Sequence, residues 1–316
     1  MLLKNAEELE ILKEPNAHKM KKTIIIAVLL LSNFIFSQEY ILLDSLKTEF
    51  KINKYTLETK DLYNIDKEIE VFNVFISKND ILLISVLPDL DQKVTTGFDL
   101  QSSNWMVIDS ASFKNKIFSN NKIRNLVFNW KAENKPENKT LSYKLIKKID
   151  GNYYVTKLCL TEFFTVSDLK LPFITSFGTI NIAEKKVTIK EMRKSFKKQL
   201  PNEGFIMDVR ENNNIRNIDN IFVFRNYLSK ELKISGLKAY QFWTFEGWWG
   251  HDGYNEYRGI DRFVYVPEKG IVGGSYDFYF RVKPKISSNK YFTVSNEILW
   301  HNIINEKVMV AQELSN

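Results

Sequence analysis

Residues 141–164 read LSYKLIKKIDGNYYVTKLCLTEFF and hold the clearest repeating pattern of the chain. Leu141, Tyr143 and Leu145 fall on one face at a period of two, with polar residues between them. This alternation is typical of a half-buried β-strand. Residues 150–151 are Asp-Gly, and glycine readily adopts the positive φ that tight hairpin turns require. The segment therefore predicts two antiparallel strands that meet at this turn.

Similar hairpin patterns recur along the chain. Apolar, β-branched runs at 69–77 and 81–87 predict a second hairpin, and residues 178–192 predict a third. Residues 124–131 read as a further strand. Because single hairpins cannot bury their apolar faces, they must stack or close on one another. We therefore expect an all-β, mainly antiparallel fold of hairpin meanders, arranged as a sandwich or an open barrel, with one or two short helices.

A fourth hairpin is expected at residues 261–280. Pro267 presets φ at the start of its turn, and Gly270 suits the left-handed position that closes it. Gly273 and Gly274 interrupt the returning strand. Glycines at such positions indicate a bulge or the close approach of another backbone.

Helical patterns are few. Residues 218–232 and 190–200 are weak candidates, and the second is rich in lysine and arginine. These cations either lie on a solvated surface or form a docking patch for an anionic surface. The segment 201–217, with its Pro-Gly and Asn-rich stretches, is where two halves of the chain would meet if residues 38–316 are not one large domain.

The N-terminal region reads as an export signal. Met20 and two lysines precede an apolar run at 23–36, and Ser37 is a small residue at a suitable cleavage position. The run is shorter than the roughly 20 residues of a membrane-spanning helix. We expect an N-terminal extension and a cleaved signal peptide (20–37) within residues 1–37, followed by an exported β-rich region, in the periplasm or outside the cell. Either Met1 or Met20 is the true start.

Composition limits the classes of partner. The chain has 316 residues and a net charge of +7, and removal of residues 1–37 leaves +6. Export argues against nucleic acid, whereas an acidic polymer or an anionic membrane surface is compatible with this charge. No integral membrane span is expected after removal of the signal. Cys159 is the one cysteine, so no intramolecular disulfide forms, and its apolar surroundings predict a buried side chain.

The highest density of aromatic, charged and histidine side chains is at residues 240–261, between two predicted strands. Three of the six tryptophans occur there, and four glycines mark irregular backbone. Flat aromatic rings stack on sugars or other planar groups, and neighbouring polar side chains bond their hydroxyls. The ligand-binding candidates are Trp248, Trp249, Tyr254, Asn255 and Arg258. A loop whose rings cap the end of a sheet is the structural alternative.

A hydrolytic site in the same loop is the second functional alternative. The catalytic candidates are His251, Asp252 and Glu256, and Glu246 with Glu256, or Asp252 with Asp261, would supply a carboxylate pair. The spacing matches no hydrolase or metal motif, and His301 reads as a structural histidine. We therefore expect a non-catalytic binding or interaction role, without cofactor or metal, with carbohydrate, peptide or another envelope protein as partner. A hydrolase of an envelope or extracellular polymer is the alternative.

Overall fold

The predicted all-β architecture is present in the computed structural model, which describes residues 38–90, 104–132, 139–170, 178–211, 221–247, 258–286 and 292–314. The strands in these ranges are, in chain order, β1 (Glu39–Leu42), β2 (Lys51–Glu58), β3 (Glu68–Phe75), β4 (Asp80–Val86), β5 (Trp105–Ile108), β6 (Lys139–Thr140), β7 (Tyr143–Ile149), β8 (Asn152–Thr156), β9 (Cys159–Ser167), β10 (Thr179–Asn181), β11 (Asn226–Ile234), β12 (Leu237–Thr244), β13 (Arg262–Val266), β14 (Gly270–Ser275) and β15 (Met309–Val310).

The helices are short and connect or flank the strands. Those in the described ranges are α1 (Leu43–Lys47), α2 (Lys60–Tyr63), α3 (Asn120–Ala132), α4 (Ile189–Gln199), α5 (Asp277–Ile286) and α6 (Asn296–Ile304). Single 3-10 turns occur at Ser110–Ser112, Lys114–Lys116 and Gln312–Leu314. There are thus more helices than the one or two expected. None of the helices in the part of the chain that the structure describes has the length and apolar character to cross a membrane.

The strands form three sheets that are mostly antiparallel. The first sheet has the order β1-β7-β8-β5, and the third has the order β11-β12-β13-β14-β15. The second has the order β10-β9-β4-β3-β2, with β6 also paired to β9. β9 and β10 are parallel.

The second sheet is the middle layer of the fold. Ile69 and Val71 of β3 belong to a large apolar cluster that includes buried residues of the third sheet, such as Phe263. The alternate residues Phe72 and Val74 belong to a separate cluster that they share with buried residues of the first sheet and of α1 and α3. Burial on both faces explains why β3 and β4 are almost continuously apolar. The three sheets are therefore stacked as a sandwich.

Residues 40–316 belong to one compact unit. The large apolar cluster includes residues from both sides of 201–217. Phe196 and Phe222, for example, stack with their ring centroids 5.3 Å apart. Whether 201–217 also separates two halves stays a prediction.

Several hairpin predictions are confirmed. β3 and β4 pair antiparallel from Phe75–Ile81 to Glu70–Val86, and β7 and β8 pair around the predicted 150–151 turn. In the β13–β14 hairpin, Gly270 adopts a φ of 87°. A Cβ on Gly273 would lie 2.4 Å from the carbonyl oxygen of Met309, so β15 makes the predicted close backbone approach.

The predicted strand at 124–131 is wrong, because α3 occupies this segment. Its buried residues Ile123 and Val127 are four positions apart, while Arg124 and Phe128 are exposed. This spacing places the apolar side chains on one face of a helix, and the contact of that face with the sheets outweighs the β propensity of the segment.

The chain also departs from the predicted path at three other places. The return strand after residue 151 is divided at 157–158 into β8 and β9, which join different sheets. The 178–192 hairpin is wrong: β10 pairs with β9, and the capping box of Thr188 and Glu191 begins α4, a helix that was expected. The helix proposed at 218–232 is wrong over its described residues, because β11 pairs with β12 from residue 226 onward.

Candidate functional site

The two strands that flank the aromatic loop are partners in the third sheet. β12 and β13 pair antiparallel as far as Trp243 and Arg262. The predicted site residues Trp248, Trp249, His251, Asp252, Tyr254, Asn255 and Glu256 lie outside the described residues. The described stems of the loop are residues 245–247 and 258–261, and they include the remaining candidate, Arg258.

The stems meet in a cluster of charged side chains, which we call the loop base: Lys139, Glu162, Glu246, Arg258 and Asp261. The guanidinium Nε of Arg258 lies 2.7 Å from Asp261 Oδ1 and 3.9 Å from Glu246 Oε2. Arg258 Nη1 also donates a hydrogen bond of 2.9 Å to the carbonyl oxygen of Gly247. Arg258 thus links one stem of the loop to the other.

The second sheet contributes the other members of the loop base. Lys139, in β6, donates a hydrogen bond of 3.3 Å from Nζ to Glu246 Oε2. Glu162, in β9, accepts the backbone N–H of Ile260 with both carboxylate oxygens, each 3.1 Å from the nitrogen. A Cβ on Gly259 would lie 1.7 Å from Glu162 Oε1, so only glycine fits at this position without displacing the carboxylate.

Burial changes the acidity of these carboxylates. Loss of solvent raises the pKa of Glu162 to about 7, and the attraction of Lys139 and the Ile260 hydrogen bond oppose this rise only in part. Burial likewise raises the pKa of Asp261 to about 6, against the nearby Arg258 guanidinium. For Glu246, burial is outweighed by the charges of Lys139 and Arg258, and its pKa is lowered.

A small recess opens at the loop base. It is lined by Lys139, Glu162, Phe164, Asn226, Thr244, Glu246, Arg258 and Ile260, and it has room for about one water molecule. A sugar ring or a peptide side chain does not fit in this space. The recess can order a water between polar groups, and any larger ligand must contact residues beyond it.

Arg258 lies at this recess, but its side chain is only 3% exposed. Its guanidinium contacts Asp261, Glu246 and Gly247 in the stems of the same loop, and it also lies 5.8 Å from the ring centroid of Phe278 in α5. These contacts give Arg258 a structural role in holding the loop base, and its contact with a ligand stays a prediction.

Two other residues singled out in the sequence lie elsewhere. Cys159 is buried in β9, as predicted, and burial raises the pKa of its thiol to about 12, which leaves it protonated and unreactive. His301 is exposed on α6 and contacts Asn305 of the same helix end. Within the described ranges, no three His, Cys, Asp or Glu side chains are grouped as metal ligands.

The sequence reasoning missed Glu162 and Lys139. Both come from the second sheet, more than 80 positions before the loop, so spacing within the loop does not reveal them. One feature of the sequence does point to Glu162, because it is the single charged residue in the apolar run 159–164. A carboxylate at such a position must find a partner when buried.

Comparison with known proteins adds no relative, because no family model, no curated protein and no solved structure matches the chain.

Proposed function

We propose that this chain is an exported, non-catalytic binding protein whose ligand contacts residues 248–257. The observation that carries the proposal is the loop base, which joins both stems of the aromatic loop to the middle sheet. Removing charged groups from solvent is costly unless they are paired. Burying five charged groups therefore gives an ordinary hairpin connection little gain in stability. Rigid scaffolds that fix the ends of a loop are typical of binding sites.

The loop composition favours an uncharged, ring-shaped ligand such as a carbohydrate. Trp248 and Trp249 offer flat apolar faces, and Asn255 offers an amide that bonds hydroxyls. A neutral polysaccharide satisfies both types of group. Peptide and envelope-protein partners are alternatives that the same experiment distinguishes.

A binding role also fits the state of the carboxylates at the loop base. Glu162 accepts a hydrogen bond from the Ile260 N–H, and Glu246 accepts one from Lys139. Asp261 forms an ion pair with Arg258. A general acid or base must reach a proton of the substrate directly or through one water. All three carboxylates are engaged by groups of the protein itself, which supports a structural function for them.

The test is a binding screen of the chain from residue 38 onward. Isothermal titration with cellohexaose, chitohexaose and a decapeptide pool is compared between the native sequence and the double variant Trp248→Ala, Trp249→Ala. We expect an oligosaccharide to bind and the variant to weaken it by at least about tenfold, since buried aromatic contacts dominate such sites. Phe128→Ala is the control, because Phe128 is 67% exposed on α3 and is not a residue of the loop.

Three results would overturn the proposal. Undiminished binding by the double variant would remove the loop from the site. Equal weakening by Phe128→Ala would show non-specific apolar association. Hydrolysis of a bound oligosaccharide that Asp252→Asn, Glu256→Gln abolishes would assign the hydrolase alternative, with His251 as a further candidate.

The proposed compartment has its own test. Its support is the signal-like segment 20–37. N-terminal sequencing of the protein recovered from outside the cytoplasm is expected to begin at Gln38. Recovery of the unprocessed chain in the cytosol would contradict export.

A further inference from the structure

The charges of α4 are sorted onto one side of the helix. Its cationic residues, which we call the cationic face, are Lys190, Arg193, Lys194, Lys197 and Lys198. At 3.6 residues per turn, these five positions span an arc of about 140°. The buried residues Ile189, Met192 and Phe196 lie on the core side, and the carboxylate of Glu191 lies beyond the far edge of the arc, where it completes the capping box.

This arrangement of like charges destabilises α4. Lys190 and Lys194, Lys194 and Lys198, and Arg193 and Lys197 are like-charged pairs four positions apart, a spacing that brings side chains close and makes like charges destabilising. Lys190 also lies in the first turn, where the helix dipole disfavours a cation, whereas Lys197 and Lys198 lie in the last turn, where it favours them. Repulsive pairs that the local structure does not require are typical of a functional surface.

Little of this charge is neutralised by neighbouring carboxylates. Lys190 donates to the amide oxygen of Asn305, a neutral group, and Lys197 lies 3.6 Å from Glu211. Among the described residues, no carboxylate forms an ion pair with Lys194 or Lys198, both of which are exposed. Most of the cationic face is therefore open to an external anion.

A second observation concerns Arg193, at one edge of the cationic face. The guanidinium carbons of Arg193 and Arg210 lie 5.4 Å and 5.1 Å from the ring centroid of Trp300, which is buried beneath them. Arg210 is fixed by two hydrogen bonds to the buried Asp208. Arg193 has no such anchor, and its buried Nε lacks an acceptor within the described part of the chain. The two arginines thus stack on the same ring, but the charge of Arg210 is balanced by Asp208, so Arg193 alone adds to the open charge.

We propose that the cationic face of α4 is a docking surface for a linear anionic polysaccharide. Lys190, Lys194 and Lys198 form a straight row with successive Cβ atoms about 6 Å apart, which suits a chain of repeated carboxylate or sulfate groups. The basis is Coulombic, and binding releases the counterions of the polyanion. The proposal involves none of the residues of the aromatic loop.

The surroundings of the row favour a polysaccharide over other polyanions. A helix that lies in a membrane interface inserts a large apolar face, but the apolar residues of α4 already pack in the core. Proteins that bind single-stranded nucleic acid present exposed aromatic rings to the bases. Trp300, the ring at this surface, is only 7% exposed.

The experiment measures binding of the chain from residue 38 onward to polygalacturonate and to dextran sulfate, with neutral dextran as the reference. At about 50 mM salt, where exposed charges are weakly screened, we expect binding to both polyanions and none to neutral dextran. The variant K190Q/K194Q/K198Q should lose at least about tenfold in affinity, and its slope of log affinity against log salt should fall by about 2. Glutamine keeps the helix propensity of lysine, so folding is preserved.

The matched control is K78Q/K114Q/K116Q, which removes three exposed lysines elsewhere and gives the same net charge. It should retain affinity within about twofold. Equal losses in both triple variants, or no loss in either, would overturn the proposal. So would absence of polyanion binding, or tighter binding to oligo(dT) or to phosphatidylserine vesicles than to polysaccharide. Failure here leaves the Trp248 and Trp249 experiment unaffected, because that screen uses uncharged ligands.

Discussion

The side-chain amide of Asn73 exchanges two hydrogen bonds with the backbone of Ile271, which lies 198 positions further along the chain. Asn73 Nδ2 donates to the Ile271 carbonyl at 2.9 Å, and the Ile271 N–H donates to Asn73 Oδ1 at 2.7 Å. The side-chain amide of Asn73, on strand β3 of the middle sheet, thereby forms the two hydrogen bonds that a neighbouring strand would form with Ile271 of β14. It fixes the position of β14 on β3 more specifically than apolar contact does.

Truncation of Asn73 should therefore be costly. Asn73→Ala leaves a buried donor and a buried acceptor of Ile271 without partners, and we expect the free energy of unfolding in urea to fall by about 3 kcal/mol. Asn53 is the control, because its exposed amide bonds the carbonyl of Lys269 in the same hairpin. Asn53→Ala should cost less than about 1 kcal/mol. Equal effects of the two substitutions would contradict the role given to Asn73.

Arg262 and Asp277 should behave as a buried ion pair. Both side chains are almost fully buried, and Asp277 also accepts from the hydroxyl of Tyr63. Arg262→Met leaves the Asp277 carboxylate buried without its cationic partner, so we expect a loss of about 3–5 kcal/mol in the free energy of unfolding. The double variant Arg262→Met, Asp277→Leu should recover much of that loss, because both charges are then absent.

An exposed pair supplies the comparison for this measurement. Lys238 and Glu231 lie 3.0 Å apart with side chains 59% and 37% exposed. Lys238→Met should change the free energy of unfolding by less than about 1 kcal/mol. A double variant at Arg262 and Asp277 that is no more stable than Arg262→Met alone would show that packing, rather than charge, explains the loss.

The fold class followed from the sequence because alternation and turn residues are local signals. The 150–151 turn and the β3–β4 hairpin are specified by residues within a few positions of one another, and both are present. The strand expected at 124–131 is wrong for the same reason: Val127, Phe128 and Trp130 favour a strand locally, whereas the four-residue spacing of Ile123 and Val127 places these two on a helix face. Tertiary contact with the sheets decides between the two.

The candidate site was less predictable than the fold. On the face of the middle sheet that meets the third sheet, three positions that alternation assigns to the core are polar: Asn73, Ser85 and Glu162. Each bonds a residue of the third sheet or its connections, namely Ile271, Tyr276 and Ile260. Their partners are 98 to 198 positions away. The sequence shows the polar residue in an apolar run, but it does not show which backbone group will meet it.

Glu162 should make stability depend on pH. Its pKa is raised from 4.5 to about 7 by burial, so the folded protein holds a proton that the unfolded chain releases. The contribution of Glu162 to stability is therefore fully present below about pH 4.5 and is lost as pH rises to about 7. Relative to the native protein, Glu162→Gln should gain up to about 3 kcal/mol between these limits and nothing further above them.

Urea unfolding at several pH values between about 4 and 8 measures this difference directly. Glu191→Gln is a suitable control, since the pKa of Glu191 is lowered by its hydrogen bonds to Thr188 and its titration should act in the opposite direction. A difference between Glu162→Gln and the native protein that does not vary with pH would show that Glu162 keeps an ordinary pKa.

Finally, Lys194→Glu should stabilise the fold while it removes the proposed polysaccharide site. The substitution places a carboxylate four positions from both Lys190 and Lys198, so two repulsive pairs become attractive. We expect the free energy of unfolding to rise by about 1 kcal/mol, and the thermal midpoint by about 2–4 °C for a protein of this size. Lys78→Glu changes the net charge equally but lies in the β3–β4 turn, and it should leave stability within about 0.5 kcal/mol. The gain should shrink at about 1 M salt, because exposed charges are then screened. A loss of stability in Lys194→Glu at low salt would mean that the lysine row is not a source of repulsion and that the cationic face of α4 does not destabilise the helix.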